Sequence, residues 1–188
     1  MLAGHFAVGL ALKARYHKVP LLAFLCSALL LDWILLVLVW QDVEHFRLVV
    51  MANGLRQLDL HDAVYSHSLF WSLFYAVVTF LVFVRAEGER HWAVPLGLGV
   101  FSHWVLDALF YDHLPFANFG PRTDFGLGWA SLSSVLAFGC ESVVVLAGWW
   151  IYFHSRRVPT SAQWPFWGVL MVLILMLFLN PLLLHILK

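Results

Sequence analysis

Residues 92–113 read WAVPLGLGVFSHWVLDALFYDH, and this stretch decides the fold. It is apolar for long enough to cross the hydrocarbon core of a bilayer, which takes about 20 residues in a helix. His103 and Asp107 lie inside it, four residues apart and therefore on one face of the helix. Because an ionisable side chain at this depth costs at least ~2.5–3.5 kcal/mol, we expect the chain to use these two residues.

The composition is typical of an integral membrane protein. Hydrophobic residues make up 62% of the 188 residues and charged residues 12%, about half the charged fraction of a soluble domain. The formal net charge is zero, and the lack of a basic patch argues against nucleic acid as a partner. Cys26 and Cys140 lie far apart in apolar runs, so we expect both to act as buried hydrophobic residues.

Five apolar runs are long enough to span a bilayer. They are residues 20–40, 63–84, 92–113, 127–153 and 164–187. A sixth run, 2–12, is too short to cross alone. We therefore expect an all-α, polytopic membrane helical bundle with about five full spans and a short N-terminal apolar helix. The polar stretch 41–62 is expected to hold a surface-lying helix, and the loop 114–126 to be irregular because of its Gly and Pro residues.

The chain is expected to form a single integral membrane domain, 1–188. Its core, roughly 1–126, carries the candidate site, and 127–188 adds two further membrane helices. If the loop 13–19 is cytoplasmic, seven of the eleven Lys and Arg residues lie on the cytoplasmic side. In that orientation four segments bring ionisable residues to a similar depth in the outer half of the membrane. These residues are His5, Asp32, His67, His103 and Asp107.

Imidazole and carboxylate are the side chains that bind zinc and similar metals. The pair His103 and Asp107 can form a bidentate metal clip, and Gly97 and Gly99 one turn earlier allow a neighbouring helix to approach. The spacing alone leaves a second interpretation open, in which the pair is a hydrogen-bonded polar contact between helices. Asp32 needs a cation, a proton or a metal as its partner. Because no apolar run contains Lys or Arg, a metal is favoured.

The remaining candidates are weaker. His67 lies between Ser66 and Ser68 in an otherwise apolar run. Glu141 is a candidate to support a metal ligand or accept a proton, and a neutral hydrogen-bonded Glu is an equally good interpretation. Taken alone, His5 fits an ordinary interfacial histidine and His61 an ordinary loop histidine.

Four segments resemble a known family. They are residues 5–9 (HFAVG), 30–33 (LLDW), 61–68 (HDAVYSHS) and 102–107 (SHWVLD). They are similar to the bacterial and archaeal inner-membrane-associated metal-dependent hydrolases, a family whose best-named member is regulated by the SOS repressor. That family is distantly similar to the superfamily of zinc phospholipase C and single-strand nucleases. The resemblance covers roughly 1–126 and implies the cytoplasmic membrane of a prokaryote.

By this resemblance the metal shell consists of His5, Asp32, His61, His67, His103 and Asp107. Ser66 and Ser102 are further candidates to contact a metal ligand without binding the metal. Two positions depart from the family pattern. The second Asp of a D-x-D motif is absent after Asp32, and Asp62 replaces the Arg that follows the first His. Fewer metal ions, an altered substrate charge preference or lost activity would each fit these departures.

The sequence thus predicts a membrane-embedded hydrolase that uses a divalent metal, most consistent with Zn²⁺, to activate water. Asp32 and Asp107 are the expected catalytic carboxylates. The expected partners are the bilayer and a lipid-like phosphoester. Three alternatives stay open: an ion- or proton-coupled transporter, a metal-stabilised non-catalytic membrane protein, and a pseudoenzyme that binds a lipid without cleaving it.

Overall fold

The computed structural model describes residues 2–50, 56–60, 62–119, 123–129 and 134–155. This part of the chain is mostly helical. Its helices are α1 (Leu2–Arg15), α2 (Leu21–Ala28), α3 (Leu30–Trp40), α4 (Val64–His67), α5 (Leu69–Arg85), α6 (Ala93–Phe110) and α7 (Ser134–Phe153). A short 3₁₀ turn, Arg90–Trp92, leads into α6.

Two helical stretches are long and apolar enough to cross a membrane, Arg90–Phe110 and Leu136–Phe153. Helices α2 and α3 together count as a third if they form one span, although they meet at an angle of 51°. This arrangement is compatible with a membrane protein. The expectation of five full spans is not supported, and the expected run 164–187 lies outside the described residues.

Within the described residues, a local break explains why the run 63–84 does not form a helix long enough to count as a span. In the run 63–84 the backbone of Ser68 is extended, with φ −75° and ψ 154°. Its hydroxyl accepts a hydrogen bond from the backbone N–H of Trp71, which makes Ser68 the N-cap of α5. Helix α5 therefore begins at Leu69 and has only 17 residues. Mean hydropathy over a window does not register such a change at one residue.

The expected surface-lying helix in 41–62 is wrong. Strand β1 (Arg47–Val50) pairs antiparallel with β2 (Arg56–Asp59), with Arg47 opposite Asp59. Adjacent β-branched residues in β1 favour the extended backbone over a helix. A second small hairpin joins β3 (Leu114–Pro115) to β4 (Asp124–Phe125) within the expected irregular loop. The all-α class therefore holds for the bundle but not for these two connections.

Helix α6 lies against two neighbours through its glycines. A side chain at Gly97 would press on the carbonyl oxygen of Ala76 in α5, and one at Gly99 would collide with the hydroxyl of Ser27 in α2. The close helix approach expected at these two glycines is confirmed. Because α5 and α2 meet α6 within one turn, from nearly opposite sides, the ligand-bearing segments that flank them are drawn to the same part of the bundle.

Helices α1 and α7 pack side by side in the same direction. Gly148 lies against the backbone of Ala7, and seven residues further along both helices the Ser155 hydroxyl donates to the carbonyl of Ala14. Their shared core contains Ala3, Ala7, Leu10, Ala14, Val145 and Tyr152, all buried. Helix α7 thus fixes α1, the helix that carries His5.

Replacing Gly99 with Ala tests the close contact between α2 and α6. The added methyl group must displace Ser27, so we expect a loss of stability of about 1–3 kcal/mol, seen as a lower unfolding midpoint in detergent. Gly139→Ala is the matched control, because a side chain there meets nothing and the helix gains up to about 1 kcal/mol. Ser27→Ala should restore part of the loss, and equal midpoints for both glycine variants would contradict the contact.

Candidate metal centre

The centre is built on α6, where His103 and Asp107 face the same way. The Nε2 atom of His103 lies 3.2 Å from Oδ2 of Asp107, and both side chains are almost fully buried. The four-residue spacing therefore places the pair together, as the sequence indicates. The spacing of the pair does not show which other groups lie near it.

Asp32 and His67 join the pair from two other segments. Asp32 stands in the first turn of α3, and its Oδ1 lies 3.6 Å from Nε2 of His67 and 3.6 Å from Nε2 of His103. His67 ends α4, and its Nε2 is also 3.7 Å from Oδ2 of Asp107. Two imidazoles and two carboxylates thus alternate around a common point.

His5 completes the described cluster from α1. Its ring stacks on that of His103, with centroids 3.7 Å apart and an angle of 6° between the planes. Its Nε2 lies 3.3 Å from the second oxygen of Asp107, Oδ1. His5 is therefore a buried member of the site and not the interfacial histidine that the residue alone suggested.

The break between α2 and α3 orients His103. The Nδ1–H of His103 donates to the carbonyl oxygen of Ala28 at 2.7 Å, across 75 residues of sequence. Ala28 is the last residue of α2, where the helix turns toward α3. With Nδ1 occupied as a donor, the neutral imidazole presents the lone pair of Nε2 to the carboxylates of Asp32 and Asp107. Two acceptors would then face each other unless a cation lies between them.

His67 is held in a similar way. Its Nδ1 is 2.8 Å from the hydroxyl of Ser66, which is completely buried. Since a serine hydroxyl accepts as well as donates, this contact is compatible with Nδ1–H as the donor and leaves Nε2 free as a ligand atom. His67 and His103 therefore each have a partner at Nδ1, on the side of the ring away from the carboxylates.

The distances fit a shared metal ion better than direct hydrogen bonds. Hydrogen bonds from a cationic N–H to a carboxylate are about 2.7–2.9 Å long, shorter than every nitrogen–oxygen distance in the cluster. A tetrahedron with bonds of ~2.0–2.2 Å has edges of about 3.3–3.6 Å, close to the 3.2–3.7 Å found here. Within the described residues, Nε2 of His103 and Oδ1 of Asp107 are buried without a hydrogen bond.

The donors form two overlapping groups of three. One is His5, His103 and Asp107, and the other is Asp32, His67 and His103. In each group the donor atoms lie within 4.8 Å of one another. Because Nδ1 of His103 is already bonded to Ala28, both groups rely on its single free nitrogen. The two groups therefore cannot both be complete three-donor sites at the same time.

Three further residues were predicted to belong to the site: His61, Ser102 and Glu141. His61 lies outside the described residues. Ser102 donates to the carbonyl of Gly99 at 2.7 Å, within its own helix, and so is not seen to orient a ligand. Glu141 is buried on α7, and its Oε1 has no hydrogen-bond partner in the described part of the chain. It belongs to the helix that supports α1, and not to either group of donors.

Two groups that matter at the site have no distinctive signal in the sequence. The carbonyl of Ala28 acts through its backbone, so its residue type says nothing about the role. Glu44 lies 21 residues before Tyr65, whose backbone it contacts, among the several charged residues of one loop.

Comparisons with known proteins give no match for this chain: no family model, curated protein or solved structure is similar enough.

Replacing His103 with Ala should remove the metal from the purified protein. The change deletes the one nitrogen that both donor groups share, so we expect bound Zn²⁺ to fall by at least about 10-fold. Elemental analysis of protein in mild detergent, with helix content followed by circular dichroism, measures this. His17→Ala, at an exposed histidine, is the control and should keep its metal. Unchanged metal content in the His103 variant would rule out the centre.

Proposed function

We propose that this chain is a membrane-embedded, metal-dependent hydrolase that cleaves a phosphoester of a lipid or lipid-linked substrate. The observation that carries the proposal is the convergence of three imidazoles and two carboxylates at 3.2–3.7 Å, all buried except Asp32, with no Lys or Arg in the apolar runs. The resemblance of four sequence segments to inner-membrane metal-dependent hydrolases points the same way. Zn²⁺ is the ion that suits this donor set.

The buried donors would hold the ion. Asp107 and His103 are the central pair, with His67 on one side and His5 on the other. When bound, a divalent ion supplies Lewis acidity, which favours ionised water near neutral pH and polarises a phosphoryl oxygen. The partner carbonyl of Ala28 keeps His103 in the tautomer that this role requires.

Asp32 is the group best placed to act on substrate. Its side chain is 37% exposed, whereas those of His67, His103 and Asp107 are at most 3% exposed. A carboxylate at the edge of the cluster can orient the attacking water and accept its proton, which then passes to the leaving alcohol as the phosphorus–oxygen bond breaks. Asp107, enclosed on all sides, is the carboxylate that holds the cluster together.

The surroundings of Asp32 favour a lipid substrate. The same helix, α3, exposes Trp33, Leu36, Val37 and Trp40. A lipid that approaches from within the bilayer would meet this apolar surface before its headgroup reached the carboxylate. In this proposal the centre lies in the outer half of a prokaryotic cytoplasmic membrane, since the family resemblance implies that membrane and the distribution of Lys and Arg favours that half.

The exposure of Asp32 also favours a catalytic metal site over a structural one. A structural zinc site is closed by protein ligands, whereas a catalytic site keeps one position for water or substrate. A cluster enclosed on one side and open at Asp32 fits the second type. For a purely structural ion we would expect four fully buried ligands.

Hydrolysis of a phospholipid in mixed micelles tests the activity. With Zn²⁺ present, we expect the unchanged protein to release a phosphate-containing product and Asp32→Asn to be slower by about 10²–10⁴-fold, since it loses a general base. Phosphatidic acid and phosphatidylglycerol, with product release followed by phosphorus NMR, are suitable probes. The control is Asp42→Asn, an exposed carboxylate that pairs only with His45 among the described residues and should leave the rate unchanged.

The rival functions give different results in the same preparation. Uptake of Zn²⁺ into proteoliposomes without any hydrolysis would support a transporter and contradict the proposal. Metal bound at full occupancy with neither uptake nor hydrolysis of either lipid would favour a metal-stabilised, non-catalytic protein.

A further inference from the structure

Glu44 is a fully buried carboxylate outside the donor cluster, with 1% of its surface exposed. It follows α3 in the chain and reaches across to α4. Its Oε1 accepts hydrogen bonds from the backbone N–H groups of Tyr65 and Ser66, the latter at 3.1 Å. These two donors belong to the first turn of α4, where no carbonyl within the helix is available to them.

Helix α4 depends on such contacts because it is very short. It contains four residues, Val64–His67, and the backbone becomes extended at Ser68. An isolated helix of this length is not stable in water or elsewhere without tertiary support. A carboxylate at its N-terminus satisfies two otherwise unpaired N–H groups and interacts favourably with the helix dipole. The last residue of this helix is His67, one of the donors of the cluster.

The burial of the Glu44 carboxylate lowers the stability of the folded protein. Its second oxygen, Oε2, is buried and has no hydrogen-bond partner among the described residues. A buried carboxylate with half of its acceptor capacity unused costs stability, and an apolar residue of similar volume would avoid that cost. A role in positioning α4 accounts for the presence of a carboxylate here.

We infer that Glu44 is a positioning residue of the metal centre: it fixes α4 and thereby sets the place of Nε2 of His67. The inference rests on the proposed metal centre and extends it to a residue that donates no ligand atom. The connection is short, because Ser66 both donates its N–H to Glu44 and contacts Nδ1 of His67 with its hydroxyl. A displacement of Ser66 therefore moves the imidazole directly.

The test compares metal affinity with stability in four forms of the full-length protein: unchanged, Glu44→Ala, Glu44→Gln and Ser155→Ala. Titration with Co²⁺, followed by its visible absorption band, measures affinity and ligand geometry, and thermal unfolding measures stability. Glu44→Ala should weaken Co²⁺ binding by about 10–100-fold and change the absorption band, as expected for loss of an outer partner of a ligand. Glu44→Gln keeps an oxygen acceptor and should lose less Co²⁺ affinity than Glu44→Ala, although its loss should still be measurable.

Ser155→Ala is the matched control for a general loss of stability. It removes a hydrogen bond to Ala14 at the far end of the α1–α7 pair, so we expect a lower unfolding midpoint with unchanged Co²⁺ affinity. Binding by Glu44→Ala within twofold of the unchanged protein, or an equal loss in both variants, would overturn the inference and leave the metal centre standing. If Glu44→Ala does not fold, Glu44→Gln decides, and unaltered affinity in that variant overturns the inference. No Co²⁺ binding by the unchanged protein would overturn the centre itself.

Discussion

The structure depends on how two carboxylates, the buried Asp107 and the partly exposed Asp32, are neutralised in an apolar helical bundle. Asp32 and Asp107 meet three imidazoles, and the apolar runs supply no Lys or Arg to balance their charge. An unpaired ion in such surroundings is prohibitively costly, and neutral imidazoles that present lone pairs make the arrangement worse. A divalent cation between the donors removes both problems at once. The cluster therefore has the arrangement of a site that could hold a metal ion between its donors.

Two helix breaks make this arrangement possible. The turn between α2 and α3 frees the carbonyl of Ala28 for His103, and Asp32 follows it within one turn. The extended backbone at Ser68 ends α4 directly after His67. In continuous helices these backbone groups would be committed to the helical ladder, and irregular backbone in a membrane is tolerated where it is buried in protein. The features that shorten the apparent spans are thus the ones that position the ligands.

The sequence was most informative where one helix decides the geometry. The spacing of His103 and Asp107 placed both on one face, and Gly97 and Gly99 marked the close helix contacts, because helical periodicity is local. The breaks at Leu29 and Ser68 and the hairpin after α3 were not foreseen. Each depends on one or two backbone angles or on pairing across a turn, to which averaged hydropathy is insensitive. For the same reason, the described residues contain two or three candidate spans where the apolar runs predicted four.

The site shows a second limit of sequence reasoning, which concerns contacts between distant segments. His5 on its own resembled an interfacial histidine, and only the packing of α1 against α6 reveals that its ring stacks on His103. Nothing near Glu44 in the chain indicates that it holds α4 in place. Because α4 is held mainly by partners elsewhere in the chain, an ion bound by His67 would also stabilise the segment that presents it. Metal binding and local folding of α4 would then be coupled, with Glu44 contacting the first turn of the helix and the ion its last residue, His67.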